Sequence, residues 1–302
     1  MVATEIPIEG ILRAHAAWLE DAKSGRRADL SGMTLNDSDL HGAVLRLGIF
    51  RGTTLLDANL ARADLSRASM ERADLQRANL AGADLTGASL TNCVFAGAFL
   101  PEANLSEIIV SGVKFPQARL GGARMIEASV NDSSFAQISA RAASFHQSRF
   151  YDVDFSGADL LRSIFYHARL QHSRFLDAAI EGANFGGAKI DHCELNRARM
   201  SGSQFSRAEI VQCIFRYADL QACDFREARV RGGDFSRAIL AGSRFGGAQL
   251  AMADLRGADL SGARELTGEQ LLQALTDEST TLPDGGKGPF VRGSGAEKPK
   301  PR

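Results

Sequence analysis

The chain is poor in the residues that punctuate many domains. Among 302 residues stand one tryptophan, three tyrosines, four cysteines and seven prolines. No stretch of 18 apolar residues occurs, and no apolar segment follows the N-terminal methionine. Neither a membrane span nor a signal peptide is therefore expected. Lysine and arginine number 35 against 36 aspartate and glutamate, a formal net charge of −1, so neither sign dominates. The phosphate-cradling GxGxxG and P-loop patterns are missing, as are HExxH, CxxC and the nucleophile elbow GxSxG. Common routes to nucleotide, metal and hydrolase chemistry are closed. What the chain does have is a pattern.

The pattern has a period of five. In RADLSRASMERADLQRANLAGADL (62–85), a large apolar residue falls at every fifth position with alanine two places before it. Calling the large residue i, the register runs from Leu30 to Leu260 without a slip, through 47 repeats. Leucine fills 22 of them and phenylalanine 15, while 42 of the 47 residues at i−2 are Ala, Ser, Cys, Gly or Thr. Helices repeat near 3.6 residues and strands near 2, so neither explains a period of five. Residues two apart share one face of an extended chain, so i and i−2 point inward together. Glycine occupies i+2 in 17 repeats, and Pro101 and Pro116 occupy i+1, which is the signature of a type II turn. Each repeat thus reads as one short strand and one corner.

Phenylalanine sets the number of corners. Phe95, Phe115, Phe135, Phe155 and Phe175 recur at 20 residues, and Phe165, Phe185, Phe205, Phe225 and Phe245 form a second series offset by ten. Rings that stack directly require a coil of four pentapeptides, which places the two series on opposite walls. A coil of three would scatter them.

The repeats ADLTG (83–87), ANLAG (78–82) and ADLRG (253–257) resemble the A(D/N)LXX motif of the pentapeptide-repeat family. The resemblance covers residues 28–262. It implies an all-β solenoid, a right-handed quadrilateral parallel β-helix, here of about twelve coils.

The raw ends of such a stack need covers. Residues 1–27 are expected to supply an N-terminal capping helix: Ile8, Ile11, Leu12, His15 and Leu19 share one helical face, with Gly25 as its stop. Residues 263–282 are expected to supply a C-terminal one. There Thr267 and Gln270 have capping-box spacing ahead of Leu271, Leu272 and Leu275. The Gly/Pro/Lys-rich stretch 283–302 is expected to be disordered. Cys93, Cys193, Cys213 and Cys223 all fall at i−2, facing inward, and are expected as buried free thiols, which suits a cytoplasmic protein.

An enzyme needs a concave, water-excluding pocket, and a convex coil without insertions offers none. The expectation is a non-enzymatic, rigid protein-binding scaffold or adaptor, with no catalytic residue, cofactor, metal or membrane contact. His172 and His192 share a corner column near Asp132, Asp152 and His167, but turn histidines of this kind are ordinarily solvated. Charge gives the best candidate face. Arg149, Arg169, Lys189, Glu209 and Arg229 form one i−1 column, and with its corners this wall carries seven basic residues against four acidic ones. Arg149, Tyr151, Tyr166, Arg169, His172, Lys189, His192, Arg229 and Arg231 are the candidate binding residues, with an acidic protein surface as partner. The opposing expectation is an ordinary solvated surface with lateral ion pairs.

Three alternatives stand beside the scaffold. The resemblance to quinolone-resistance members implies DNA mimicry, with DNA gyrase or another type II topoisomerase as partner. Mimicry requires a strongly acidic surface, and the array carries 25 basic residues against 26 acidic. Similarity of the lead-in HAAWLEDAKSGRRADLSG (15–32) to bacterial relatives gives a secretion-accessory role. Direct polyanion or nucleic-acid binding is disfavoured by the modest net charge of the wall. A homodimer through an end cap stays open.

Overall fold

The computed structural model describes residues 8–299, so the ends of the expected cap at 1–27 and tail at 283–302 lie outside the described residues. The chain divides into two compact units, the first ending at Ser134 and the second beginning at Phe135.

The first unit opens with helix α1 (Ile8–Glu20). Its regular strands are β1 (Ser69–Glu71), β2 (Ser89–Thr91), β3 (Ile109–Ser111) and β4 (Ser129–Ser134). They pair in parallel in chain order, each shifted by one coil: Met70 faces Leu90, Leu90 faces Val110, and Val110 faces Val130. Single bridges Thr34–Thr54, Asp39–Asn59 and Val44–Asp64 build the other three walls. Every partner is 20 residues on, so four pentapeptides close a coil.

The second unit repeats this plan with β5 (Arg149–Asp154), β6 (Arg169–Gln171), β7 (Lys189–Asp191), β8 (Glu209–Val211), β9 (Arg229–Arg231) and β10 (Gln249–Ala251). Neighbours pair in parallel and in register, followed by the short helix α2 (Gly268–Gln273). Both units are parallel β-solenoid. Regular strands number slightly fewer than the dozen coils expected, because Asp29 and Ile49 on the same wall make single bridges instead.

Chemistry at the corners explains the consensus. The i+2 residue takes positive φ throughout, and where glycine is absent, Arg, Asp, Glu, Gln, Asn or His commonly accepts it, as at Arg62 (φ 59°) and His167 (φ 55°). The i+3 N–H donates back to the i carbonyl, as from Ala63 to Leu60 at 3.0 Å. The Asp or Asn at i−1 accepts the i+1 N–H: Asp64 Oδ1 takes Ser66 N–H at 3.0 Å, and Asn79 Oδ1 takes Ala81 N–H at 3.1 Å. That is an Asx turn, which is why short acids and amides recur there. After β1 and β7 the corner lacks this bond: among the described residues no i+3 bond returns to Met70 or Ile190. Inward thiols serve those carbonyls instead: Cys93 Sγ donates to Met70 O at 2.8 Å and Cys213 Sγ to Ile190 O at 3.3 Å. The four cysteines are free and buried. Burial pushes the Cys93 thiol up to about 11 and the Cys223 thiol to about 12.

Phenylalanine fills the interior as two columns. Phe95 stacks on Phe115 at 4.7 Å in the first unit. In the second, one column runs Phe135–Phe155–Phe175, at 5.2 and 4.9 Å. The other runs Phe145–Phe165–Phe185–Phe205–Phe225–Phe245, with spacings from 4.7 to 5.3 Å. The columns meet edge-on across the interior, Phe155 to Phe165 at 6.2 Å and 89°.

Both ends depart in detail from expectation. Helix α1 stops at Glu20, and Gly25 serves a steric purpose rather than a left-handed stop: a Cβ there would lie 2.1 Å from Ala14 O. His15 is fully buried; its Nδ1 accepts the Ala28 N–H at 3.0 Å and its Nε2 donates to Arg46 O at 3.1 Å. These bonds define a neutral imidazole, and burial holds its pKa below the ordinary histidine value. Helix α2 spans six residues of the 263–282 segment, with the expected Thr267–Gln270 capping box in place. Gln270 Nε2 donates to Phe245 O and Ala248 O at 2.7 and 2.8 Å, covering the last ring. Leu271 is buried, but Leu272 and Leu275 are exposed, because Leu275 leaves the helix to bridge Asp254. Disorder does not begin at Pro283. Phe290 is buried beside Gly268, its N–H donates to Thr276 Oγ1 at 2.9 Å, and Arg292 reaches Glu269 at 3.2 Å.

Candidate protein-docking face

The candidate residues lie in the second unit. Strand register puts Arg149 beside Arg169, Arg169 beside Lys189, Lys189 beside Glu209 and Glu209 beside Arg229. Extended backbone turns i−1 outward because i faces the core, so the column is one rung per coil at about 4.8 Å. All nine candidate side chains are exposed.

Electrostatics split the column. Glu209 accepts Lys189 at 3.2 Å and approaches Arg229 at 3.8 Å, and Asp191 holds His192 Nδ1 at 2.7 Å. Lys189 and Arg229 are therefore partly neutralised, and Asp191 is already engaged by a ring nitrogen. Arg149 and Arg169 have no ion pair among the described residues, and neither has Arg231. Within the i−1 column the residues without an ion pair are those of β5 and β6, and Arg231 on β9 is a third on the same wall. Elsewhere lateral pairs one coil apart are common, including Arg77–Asp57 at 2.5 Å and Arg197–Asp177 at 2.6 Å. Those pairs match the ion-paired expectation, whereas Arg149 and Arg169 at one end of the column, like the bridged Arg244 and Arg264 elsewhere in the second unit, have no such pair among the described residues.

Aromatic side chains frame that end. Tyr151 meets His172 edge-on at 5.5 Å, and His172 stacks on His192 at 5.3 Å. On the preceding corner His146 stacks on Tyr166 at 5.6 Å, and Tyr166 meets His167 edge-on at 4.2 Å. The histidines thus stack with rings instead of converging on a cation. No cluster of three or more His, Cys, Asp or Glu able to hold a metal occurs among the described residues.

The exterior is less uniformly convex than the repeat implied. Helix α1 and the first unit's coils enclose a groove of about 650 Å³ lined by Trp18, Leu19, Arg46, Leu47, Arg67 and Asp84, among others. A smaller notch of about 390 Å³ lies beside Tyr166 and His167. Neither was read from the sequence, though Gly186–Gly187, one coil beyond the Tyr166–His167 corner, was a visible signal for the second.

Parallel coils of four five-residue sides, each with a small inward residue before a large one, define a pentapeptide β-solenoid. The family profile for pentapeptide repeats matches in 8 copies, over residues 26–55, 49–80, 73–112, 88–125, 141–177, 180–216 and 218–257. The chain belongs to the pentapeptide-repeat family. Among solved structures it is similar to HetL, a pentapeptide-repeat protein involved in heterocyst differentiation regulation in the cyanobacterium Nostoc. Identity is 23% over 89% of this chain and 97% of that one, with a TM-score of 0.27. Trypsin-treated QnrB1, a plasmid-mediated fluoroquinolone resistance protein, is 18% identical over 59% of this chain and 82% of its own, with a TM-score of 0.24. A pentapeptide-repeat protein of the Arabidopsis thaliana thylakoid lumen is 26% identical over 39% of this chain and 68% of its own, with a TM-score of 0.26. No curated protein sequence matches. No helix among the described residues is long and apolar enough to cross a membrane.

Proposed function

We propose that this chain is a non-enzymatic, rigid protein-binding scaffold of the cytoplasm that docks an acidic protein surface on the β5–β9 wall. One observation carries the reading: Arg149 and Arg169 occupy adjacent rungs with no carboxylate partner. Two like charges at that spacing repel, and an incoming carboxylate relieves the repulsion while gaining bidentate hydrogen bonds. Tyr151 and Tyr166, 49% and 40% exposed, supply flanking contact area at low entropic cost. The non-catalytic part rests on the interior: side chains such as Phe165 and Phe185 fill it with no exposed surface, leaving the outside to make contacts.

Replacing Arg149, Arg169 and Arg229 together by glutamate should abolish co-purification of the native partner, and undiminished capture would remove the reading. DNA mimicry with DNA gyrase as target is the alternative. It requires closely spaced negative charge, which the basic wall interrupts. A supercoiling assay of gyrase with and without the protein decides it, inhibition or protection favouring the mimic. Polyanion binding through the same wall predicts an oligonucleotide shift that weakens steeply with salt. A secretion-accessory role predicts a secretion-system component as the captured partner.

A further inference from the structure

The notch beside Tyr166 gives the docking face a specificity that charge alone lacks. It lies at the corner just before β6, and Tyr166 is three residues from Arg169, or within about 10 Å along an extended chain. One side is aromatic: Tyr166, backed by His146, and His167, set edge-on to it. The floor is backbone at Gly187, with the buried Gly186 next to it. A Cβ on Gly186 would sit 3.1 Å from the Tyr166 ring, and one on Gly187 would sit 2.5 Å from the His167 ring, so only glycine leaves the rings where they lie. The far side is formed by Ser206, Arg207, Arg226 and Glu227.

Charge in the notch is already satisfied. Glu227 holds Arg207 at 2.9 Å and Asp224 holds Arg226 at 2.6 Å. An anion entering there would meet the Glu227 carboxylate and guanidiniums that are already paired, whereas a neutral ring would meet ring faces and flat, charge-compensated guanidiniums, on which aromatics stack. The volume of about 390 Å³ admits one aromatic side chain. We propose that this notch takes a neutral aromatic side chain of the acidic protein segment that docks on Arg149 and Arg169. The acidic residues then align with the ladder and the ring anchors the register, as buried aromatic anchors do in other interfaces. The proposal rests on the docking reading above.

Fluorescence anisotropy with two labelled glutamate-rich peptides tests it. The peptides are identical except for a central phenylalanine or alanine, and oligothymidylate serves as a third probe. The phenylalanine peptide should bind the full chain about tenfold tighter than its alanine counterpart. Ser206→Gln, which fills the notch without touching the ladder, should erase that difference and leave the alanine peptide unchanged. Tyr166→Ala should also erase that difference by removing the aromatic side, while weakening both peptides slightly through the contact area it takes away. Arg149→Glu with Arg169→Glu should weaken both peptides. Equal affinity of the two peptides, with binding still lost in the arginine variant, overturns the notch and leaves the ladder standing. A phenylalanine preference that survives the arginine reversal overturns the ladder reading and with it this proposal. Oligothymidylate binding tighter than either peptide and lost in Ser206→Gln assigns the notch to a nucleobase and overturns the proposal. Failure of all three probes to bind overturns both.

Discussion

The two units share one backbone repeat and differ in what they put inside it. In the first, 14 of the 21 large inward positions are leucine and three are phenylalanine, Phe50, Phe95 and Phe115. In the second, 12 of 26 are phenylalanine. Corner bonds, Asx turns and 20-residue register are the same in both. The ladder is therefore set by the small i−2 residue and the corner, while the large position selects between two kinds of core. Leucine rungs nest without strong orientation. Rings stack, and each stack ties a coil to the next through ring geometry as well as area. The exteriors differ too: within 28–134 there are nine basic and twelve acidic residues, and within 135–262 there are 16 and 14.

The largest expected effect probes that core difference. Phe165 stacks between Phe145 and Phe185 at 4.7 and 4.8 Å and meets Phe155 and Phe175 edge-on. Phe165→Ala should cost about 3–5 kcal/mol, against about 2–5 for Leu80→Ala in the first unit. Aromatic pairing of about 0.5–1.5 kcal/mol per contact puts Phe165 at the upper end. Segment-resolved hydrogen exchange is the suitable readout, since stacked repeats open locally. Equal costs for the two variants would mean that rings act here as area alone.

Overpacking should come next. Ala78 and Ala183 both sit fully buried at i−2. Leucine at either site should destabilise its unit by about 1–3 kcal/mol. The penalty should be larger at Ala183, because the adjoining ring column cannot shift rotamer as leucines can. A reversed order in denaturant unfolding would show that the phenylalanine-rich core has slack.

These comparisons rest on features that the sequence displays openly. A strict period of five leaves no competing assignment, and phenylalanines 20 apart disclose the coil by themselves. Features depending on contacts distant in sequence were harder. Gly25 read as a helix stop, yet its need for glycine comes from the carbonyl of Ala14. The segment from Pro283 read as disordered by composition, yet Phe290 finds Gly268, and Arg292 finds Glu269. On the candidate face the basic column was legible because register follows from the period. Which rungs are neutralised was not, since Glu209 reaches both neighbours through side-chain conformation. The notch escaped because Gly186–Gly187 fits the ordinary corner pattern and matters only through the rings above it.

A pH experiment separates the units by a group that only one of them has. The His15 pKa lies below its ordinary value because burial disfavours the imidazolium, and the Ala28 N–H requires an unprotonated Nδ1. The unfolded chain, with histidine near 6.5, therefore binds more protons than the folded one at mildly acid pH. The stabilisation is complete above about pH 6.5 and is lost as pH falls through the depressed folded value. Loss leaves the Ala28 N–H without its acceptor, a cost of about 1–3 kcal/mol for a buried donor. Hydrogen exchange in 8–28 should rise between pH 7.5 and 5, while the phenylalanine columns keep their protection. Unchanged exchange in α1 would mean that Trp18 and Leu19 hold the helix without the histidine.

The smallest effect should be one of sign. In the first unit Arg77 is clasped by Asp57, whose carboxyl its guanidinium holds below the usual range. In the second, Arg169 stands beside Arg149 with no carboxylate partner among the described residues. Charge reversal should therefore act oppositely: Arg77→Glu breaks a pair and sets two carboxylates together, while Arg169→Glu replaces a repulsion with a pair. The first should lower the unfolding midpoint slightly and the second should raise it. Exposed charges are screened as ionic strength rises, so both shifts should fade together in concentrated salt. A ladder kept for docking is one that sacrifices a little stability for function, and Arg169→Glu should be more stable and bind less. Should Arg169→Glu instead destabilise the unit, the two arginines are already compensated within the fold, and the reason for assigning them a partner disappears.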